Sequence, residues 1–140
     1  MMELMLIVAG IMILASIGIP IYNSYTSKAK INAAIVDTTS ISNTIEIIRL
    51  YDENLPPNLA AVPGIPPLDP WGNPYQYSNF KNVKEKGRMR KNHFMVPINS
   101  DYDLYSMGED GASTSPLTAK SSRVDIIRAN DGGVVGLASD

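Results

Sequence analysis

The sequence predicts an α+β fold: one long N-terminal helix packed on a small antiparallel β-sheet, with a loop-rich C-terminal tail. Three observations predict it. Residues 4–27 carry no charge and are largely apolar. An apolar stripe at helical spacing then continues to about Tyr51, with neither Gly nor Pro across residues 21–54. After a proline-rich loop, short β-like runs separated by turn residues replace the helical period.

The first element starts almost at the N-terminus, behind Met1, Met2 and the single carboxylate of Glu3. A bilayer core needs about 20 mostly apolar residues in helical form, and the run from Leu4 through Ala15 and onward supplies them. A secretory signal would place Lys or Arg before a shorter run and a small-residue cleavage site after it. Here the flank is acidic and the run continues as a helix, which points to a segment the mature protein keeps. Lys28 and Lys30 mark the return to water. Ile31, Ala34, Ile35, Thr38, Ile41, Ile45 and Ile48 then form one stripe, with Asn32, Asp37, Ser40, Asn43 and Glu46 between them. Pro56-Pro57 close the pattern. The spacing therefore predicts a single helix to about Tyr51. A bend is expected near Gly18-Ile19-Pro20, because Pro20 lacks the amide proton the ladder needs. At about 1.5 Å per residue such a helix is roughly 75 Å long. It exceeds the width of the remaining domain, so its N-terminal half is expected to protrude into lipid or into the core of a helical assembly.

Residues 53–74 read as a loop, with prolines at 56, 57, 63, 66, 67, 70 and 74. Three β-like runs follow: Tyr75-Gln76-Tyr77, His93 to Ile98, and Tyr102 to Ser106. In the last, Tyr102, Leu104 and Ser106 alternate with Asp103, Tyr105 and Met107, as in a half-buried strand. From Gly108 to Asp140 the chain reads as loop, apart from the apolar pair Ile126-Ile127. The predicted organisation is a hydrophobic half-helix at 1–27 and a globular domain at 28–140. The latter comprises a helix half (28–52), a loop (53–74) and sheet plus C-terminal loop (75–140).

With 140 residues, a formal charge of −2 and a pI near 5.3, the chain as a whole does not read as a polyanion binder. Lys81, Lys84, Lys86, Arg88, Arg90 and Lys91 form a basic stretch, read as a solvated tip or as one meeting Asp101, Asp103 or Glu109 of a neighbour. Nucleic acid is not an expected partner. Cysteine is absent, which excludes disulfides and thiolate metal sites. A domain this small without disulfides often needs another staple, such as a metal ion or oligomerisation. His93 has no second His and no Cys for a zinc site. No nucleophile–base pair, phosphate loop or catalytic acid pair stands out, so no catalytic residue is assigned and enzymatic activity is not expected. Trp71, between Asp69-Pro70 and Gly72, reads as a structural clamp of the loop on the helix.

An apolar N-terminal helix with a lone Glu and a Pro near its twentieth residue resembles the type IV pilin and pseudopilin superfamily. The run Leu68-Asp69-Pro70-Trp71-Gly72-Asn73-Pro74-Tyr75-Gln76-Tyr77 is more specific. It resembles the Asp-Pro-Trp-Gly-x-x-Tyr segment of the major pseudopilins of type II secretion systems. Tyr102-Asp103-Leu104-Tyr105-Ser106-Met107-Gly108-Glu109-Asp110-Gly111 resembles their strand followed by Ser-x-Gly-x-Asp-Gly. The resemblance covers the helix, the first part of the sheet and the start of the tail; residues 81–93 and the last thirty match less well. Family members have Glu fifth after an apolar first residue. Here it is third, so the expectation is a chain two residues short, its basic leader already removed by a prepilin peptidase.

The resemblance implies a type IV pilin-like fold and a homo-oligomeric helical filament. The subunit would wait in inner-membrane lipid as a single-pass protein. It would then join a periplasmic or cell-surface filament with an assembly platform and minor pseudopilins. It implies that Glu3 pairs with the N-terminal amine of a neighbour and sets the stagger, the plainer alternative being headgroup contact or interaction with the helix N-terminus. It also implies local melting between Gly10 and Pro20, with Gly18, on assembly, against a fixed kink. Finally it implies a calcium site: the carbonyls of Met107 and Ala112 with the carboxylates of Asp110 and Asp125. One departure weakens it, since Val124 stands where the family has a second acid. Ser121 or Ser122 are possible helpers, and solvated loop carboxylates are the alternative. The functions implied are a secretion pseudopilus driving substrates outward, a surface pilus for adhesion, motility or DNA uptake, or a membrane-anchored binding module that never polymerises.

Overall fold

A computed structural model describes residues 1–81 and 88–140. Lys84, Lys86 and Gly87 of the basic stretch lie outside the described residues. The chain divides into two compact units, Met1–Lys30 and Ile31–Asp140. Helix α1 runs Met2–Asp52, 51 residues, with Pro20 inside it.

In the first unit, residues 1–25 are all exposed. The helix is unbroken through Gly18-Ile19-Pro20, so the missing Pro20 amide, which would have bonded the Ser16 carbonyl, does not end it. By length and composition this segment is the one candidate membrane span among the described residues.

In the second unit, the α1 residues from Ile31 pack on a four-stranded antiparallel sheet: β1 (Gln76–Asn79), β2 (Tyr102–Ser106), β3 (Ile126–Ala129) and β4 (Val134–Leu137), in that spatial order. The predicted stripe is the contact face: Ala34, Thr38, Ile41 and Ile45 are buried, joined by Ser42. Ile41 and Ile45 meet Val62, Tyr75, Tyr102 and Leu104 in one core cluster, with Ile48, Leu55 and Tyr77 against it. Burying each such aliphatic side chain contributes about 2 kcal/mol.

Pairing fixes which side chains share a face. Tyr77 lies opposite Leu104, and Ile126 opposite Ser106 and Leu137. Tyr102, Leu104, Ile126 and Arg128 therefore face α1, while Asp103, Tyr105 and Ile127 face away. The second face is also covered: β2 is buried at every position except the half-buried Tyr105. The half-buried strand expected from alternation is thus a strand covered on both sides, helix on one face and loop on the other.

Two expectations are corrected. His93 to Ile98 is not a strand but a tight loop. The Asn92 side-chain carbonyl accepts from the amides of Phe94 and Val96 at 3.0 Å each, and Met95 takes φ +60°. The tail is not merely loop, because β3 and β4 form a hairpin through Asn130 and Asp131, both with positive φ, and Gly132-Gly133.

Candidate functional site

The second unit places together the two segments that carry the sequence motifs. Asp69 organises the first. Its Oδ1 accepts from the amides of Trp71 (3.0 Å) and Asn73 (2.8 Å), closing the turn that Pro70 and Gly72 (φ +90°) make possible. Its Oδ2 accepts from the Ser106 hydroxyl at 2.5 Å, and the Ser106 Oγ in turn accepts from the Gly108 amide. Asn73 Nδ2 donates to the Gly108 carbonyl at 3.1 Å. The Asp69–Asn73 turn is thereby bolted to the end of β2. Trp71 is half-buried beside it. The clamp joins loop to sheet here, with Asp69, rather than the aromatic ring, making the polar contacts.

Gly108 is a second fixed point. It is buried at φ +67°, and a Cβ there would stand 2.1 Å from the Val124 carbonyl oxygen. No side chain fits that approach, so glycine alone lets the loop after β2 pass under the turn leading into β3.

Beyond Gly108 lies the loop expected to hold calcium. Asp110 and Ala112 are exposed, Met107 is half-buried, and Asp125 is fully buried. Asp110 Oδ1 accepts from the Ala112 amide at 3.1 Å, bending the loop on itself. Asp125 Oδ2 accepts from the Ser113 hydroxyl at 2.5 Å and from Arg90 Nη2. Arg90 is 2% exposed, and its Nη1 donates to the Thr114 carbonyl at 2.5 Å. Burial pushes Asp125 up to about 6, with the Asp110 charge adding to it, although Ser113 and Arg90 pull the other way. Ser122 does not turn toward Asp125; its hydroxyl donates to the Thr114 carbonyl at 2.6 Å. Among the described residues no group of three or more His, Asp or Glu side chains converges. As arranged, this donor set does not fit a divalent cation: the buried carboxylate already faces a guanidinium that cannot lose its charge.

The sequence reads Arg90 as one charge of a solvated tip, and this is corrected. Its amide donates to Asp103 Oδ2 at 2.6 Å, and its guanidinium lies 3.9 Å from the Tyr105 ring centre. Asp103 accepts also from Asn99 Nδ2 at 3.0 Å; burial raises it above the usual carboxylate range. Asp103 is therefore not free to meet a neighbour, and neither is Asp101. Asp101 takes Arg128 on both oxygens, at 2.9 and 3.1 Å, and Arg49 at 3.2 Å. Glu109 remains exposed.

Sequence reasoning also missed Arg128. Its side chain is fully buried between sheet and helix, donating to Ser42 (3.1 Å) and Asp101, with Tyr102 stacked at 3.9 Å. An arginine inside a four-residue strand gives no sign in sequence that its partners lie in distant segments.

In the first unit the expected assembly residues are open. Glu3 is exposed in the first turn of α1. A Cβ on Gly10 or Gly18 would meet nothing within 4 Å. Leu4 to Leu14, together with Ile17, Ile19 and Ile21, form a continuous exposed apolar surface.

The chain is thus an α+β protein with one long apolar N-terminal helix that is a candidate single membrane span. Comparison with protein-family models finds no match, and comparison with solved structures finds none either.

Proposed function

We propose that this protein is the structural subunit of a helical filament built from a membrane, a pseudopilus of the type II secretion kind. The observation that carries the reading is the wholly exposed, charge-free helical surface from Leu4 onward, while the core of the second unit is complete with residues from Ala34. Monomeric soluble proteins rarely expose so large an apolar surface. Lipid covers it before assembly, and copies of itself cover it afterwards. The contact between the two motif segments, through Asp69–Ser106 and Asn73–Gly108, supports the pseudopilin-like reading.

The role is structural rather than catalytic. The buried acids Asp69, Asp103 and Asp125 each accept bonds that hold loops in place, and none opens to solvent. Glu3 pairs with the terminal amine of the next copy, because a carboxylate in an apolar filament core needs a cationic partner. Partners on this reading are further copies, minor pseudopilins and an inner-membrane assembly platform.

Deleting the gene and assaying secreted proteins tests the reading, with Glu3→Ala as the point variant. Secreted proteins accumulating inside the cell, with Glu3→Ala reproducing the defect while its second unit melts normally, is the expected result. Long surface fibres on sheared cells with secretion intact would replace the pseudopilus by a surface pilus. A chain that stays monomeric in cells, with no filament, would sink the assembly reading.

A further inference from the structure

We propose that the Arg90 guanidinium takes the place of a metal ion under the 108–125 loop, so that a cation carried by the chain itself closes this loop. The loop has little regular structure of its own, only a 3₁₀ turn at Lys120–Ser122, and is held partly by backbone bonds from Lys91 to Ser115 and Leu117 and partly by side chains. Arg90 gathers it. Its two Nη atoms reach the carbonyl of Thr114, the hydroxyl of Ser113 and the carboxylate of Asp125, while Tyr105 stacks below. A carbonyl, a hydroxyl and a carboxylate around one positive charge is the mixed oxygen set that a calcium loop also offers.

Charge balance points the same way. Asp125 is fully buried, and an unpaired buried carboxylate is costly. The guanidinium neutralises it and remains charged at any working pH. Asp125 Oδ1 and Arg90 Nε are both buried without a hydrogen-bond partner. A side-on fork of arginine on carboxylate uses Nε with one Nη against both oxygens, so the two unpartnered atoms complement each other within one pair. A calcium ion at Asp125 would have to expel this guanidinium from a site it fills. Arg90 is itself held from behind: its amide bonds Asp103 and its carbonyl accepts from Ile98.

The inference stands apart from the filament reading and is tested on the full chain in detergent micelles. Melting is followed by the near-ultraviolet signal of Trp71 and the tyrosines, in chelator and in millimolar calcium, alongside terbium luminescence sensitised by those rings. The chain should melt at the same temperature in both and show no saturable terbium signal. A saturable signal with a calcium-dependent rise on the order of 10 °C, as mass action on a filled site would give, would overturn it. Arg90→Ser should melt lower in chelator and recover in part with calcium, because Asp125 then loses the competing guanidinium. If that variant folds only with calcium, the inference is supported. If it melts like the parent in chelator, Arg90 is not the staple.

Discussion

Replacing Gly108 and, in a second variant, Gly72 by alanine separates two costs that usually arrive together. At φ +67° any L side chain strains the backbone, and here the new Cβ would also stand 2.1 Å from the Val124 carbonyl oxygen and 2.8 Å from its carbon. Gly72, at φ +90°, has nothing within 4 Å of the same atom. Gly72→Ala therefore carries only the left-handed penalty, about 1–2 kcal/mol. Gly108→Ala adds a backbone overlap that must be relieved by moving Val124 away from the β2 end, about 1–3 kcal/mol more. It also disturbs the Asn73 bond to the Gly108 carbonyl. In a unit of this size each kcal/mol lowers the melting temperature by roughly 4–8 °C. At about 5 °C per kcal/mol, Gly72→Ala should thus melt about 5–10 °C below the parent, and Gly108→Ala about 10–25 °C below. Thermal melts of the full chain in detergent, followed at the Trp71 band, read both. If Gly108→Ala melts no lower than Gly72→Ala, the close approach of the two strand ends is not a constraint and the geometry argued for this loop is wrong.

Removing the Arg128 guanidinium as Arg128→Met should cost about 1–3 kcal/mol, because half-buried Asp101 loses its bidentate partner and keeps only Arg49. Urea unfolding of the full chain checks it, and a loss under about 1 kcal/mol would mean the pair contributes nothing net. Asp69→Ala removes the acceptor of two turn amides and of the Ser106 hydroxyl, and should destabilise by about 2–3 kcal/mol with a red shift of Trp71 emission. An unshifted spectrum would show that the turn holds without it. Alkaline pH should unfold the second unit. Burial is the first cause raising Tyr75, Tyr105 and Tyr102, the last to about 12. The folded state then holds more protons than the unfolded one from about pH 10 upward, so stability is intact below that value and is lost as pH rises through the folded values. Tyr75, Tyr102 and Tyr105 should ionise together with the loss of circular dichroism. Their ionisation near pH 10 with the fold intact would contradict the burial.

The helix was legible because its information is local: the stripe from Ile31 to Ile48 repeats at 3.6 residues, and Ala34, Thr38, Ile41 and Ile45 are the residues buried. β2 was legible for the same reason. The β3–β4 hairpin was obscured because Arg128 interrupts the apolar run, although Asn130-Asp131-Gly132-Gly133 between Ile126-Ile127 and Val134-Val135 is a hairpin signal in its own right. His93 to Ile98 misled in the opposite sense. Its β-favouring residues are turned back by Asn92, and a single side chain decides the conformation of the segment. The roles of Arg90, Arg128 and Asp125 were out of reach, since each depends on partners more than twenty residues away.

Those two arginines also explain how so small a sheet stays covered on both faces. A single helix can bury only one face, and here α1 does so with Ile41 and Ile45 against Tyr102 and Leu104. The opposite face, with Asp103 and Tyr105, is left to loops, which bring few apolar side chains and many backbone polar groups. Each face then receives one buried guanidinium stacked on a β2 tyrosine: Arg128 on Tyr102 toward the helix, Arg90 on Tyr105 toward the loops. Tyrosines three apart on a strand point to opposite sides, so the same device serves both. On the helix side it adds to an apolar core that exists without it. On the loop side Arg90 is the principal organiser, because Thr114, Ser113 and Asp125 meet at its guanidinium. Loss of Arg90 should therefore open the loop face while leaving the packing of α1 on Tyr102 in place.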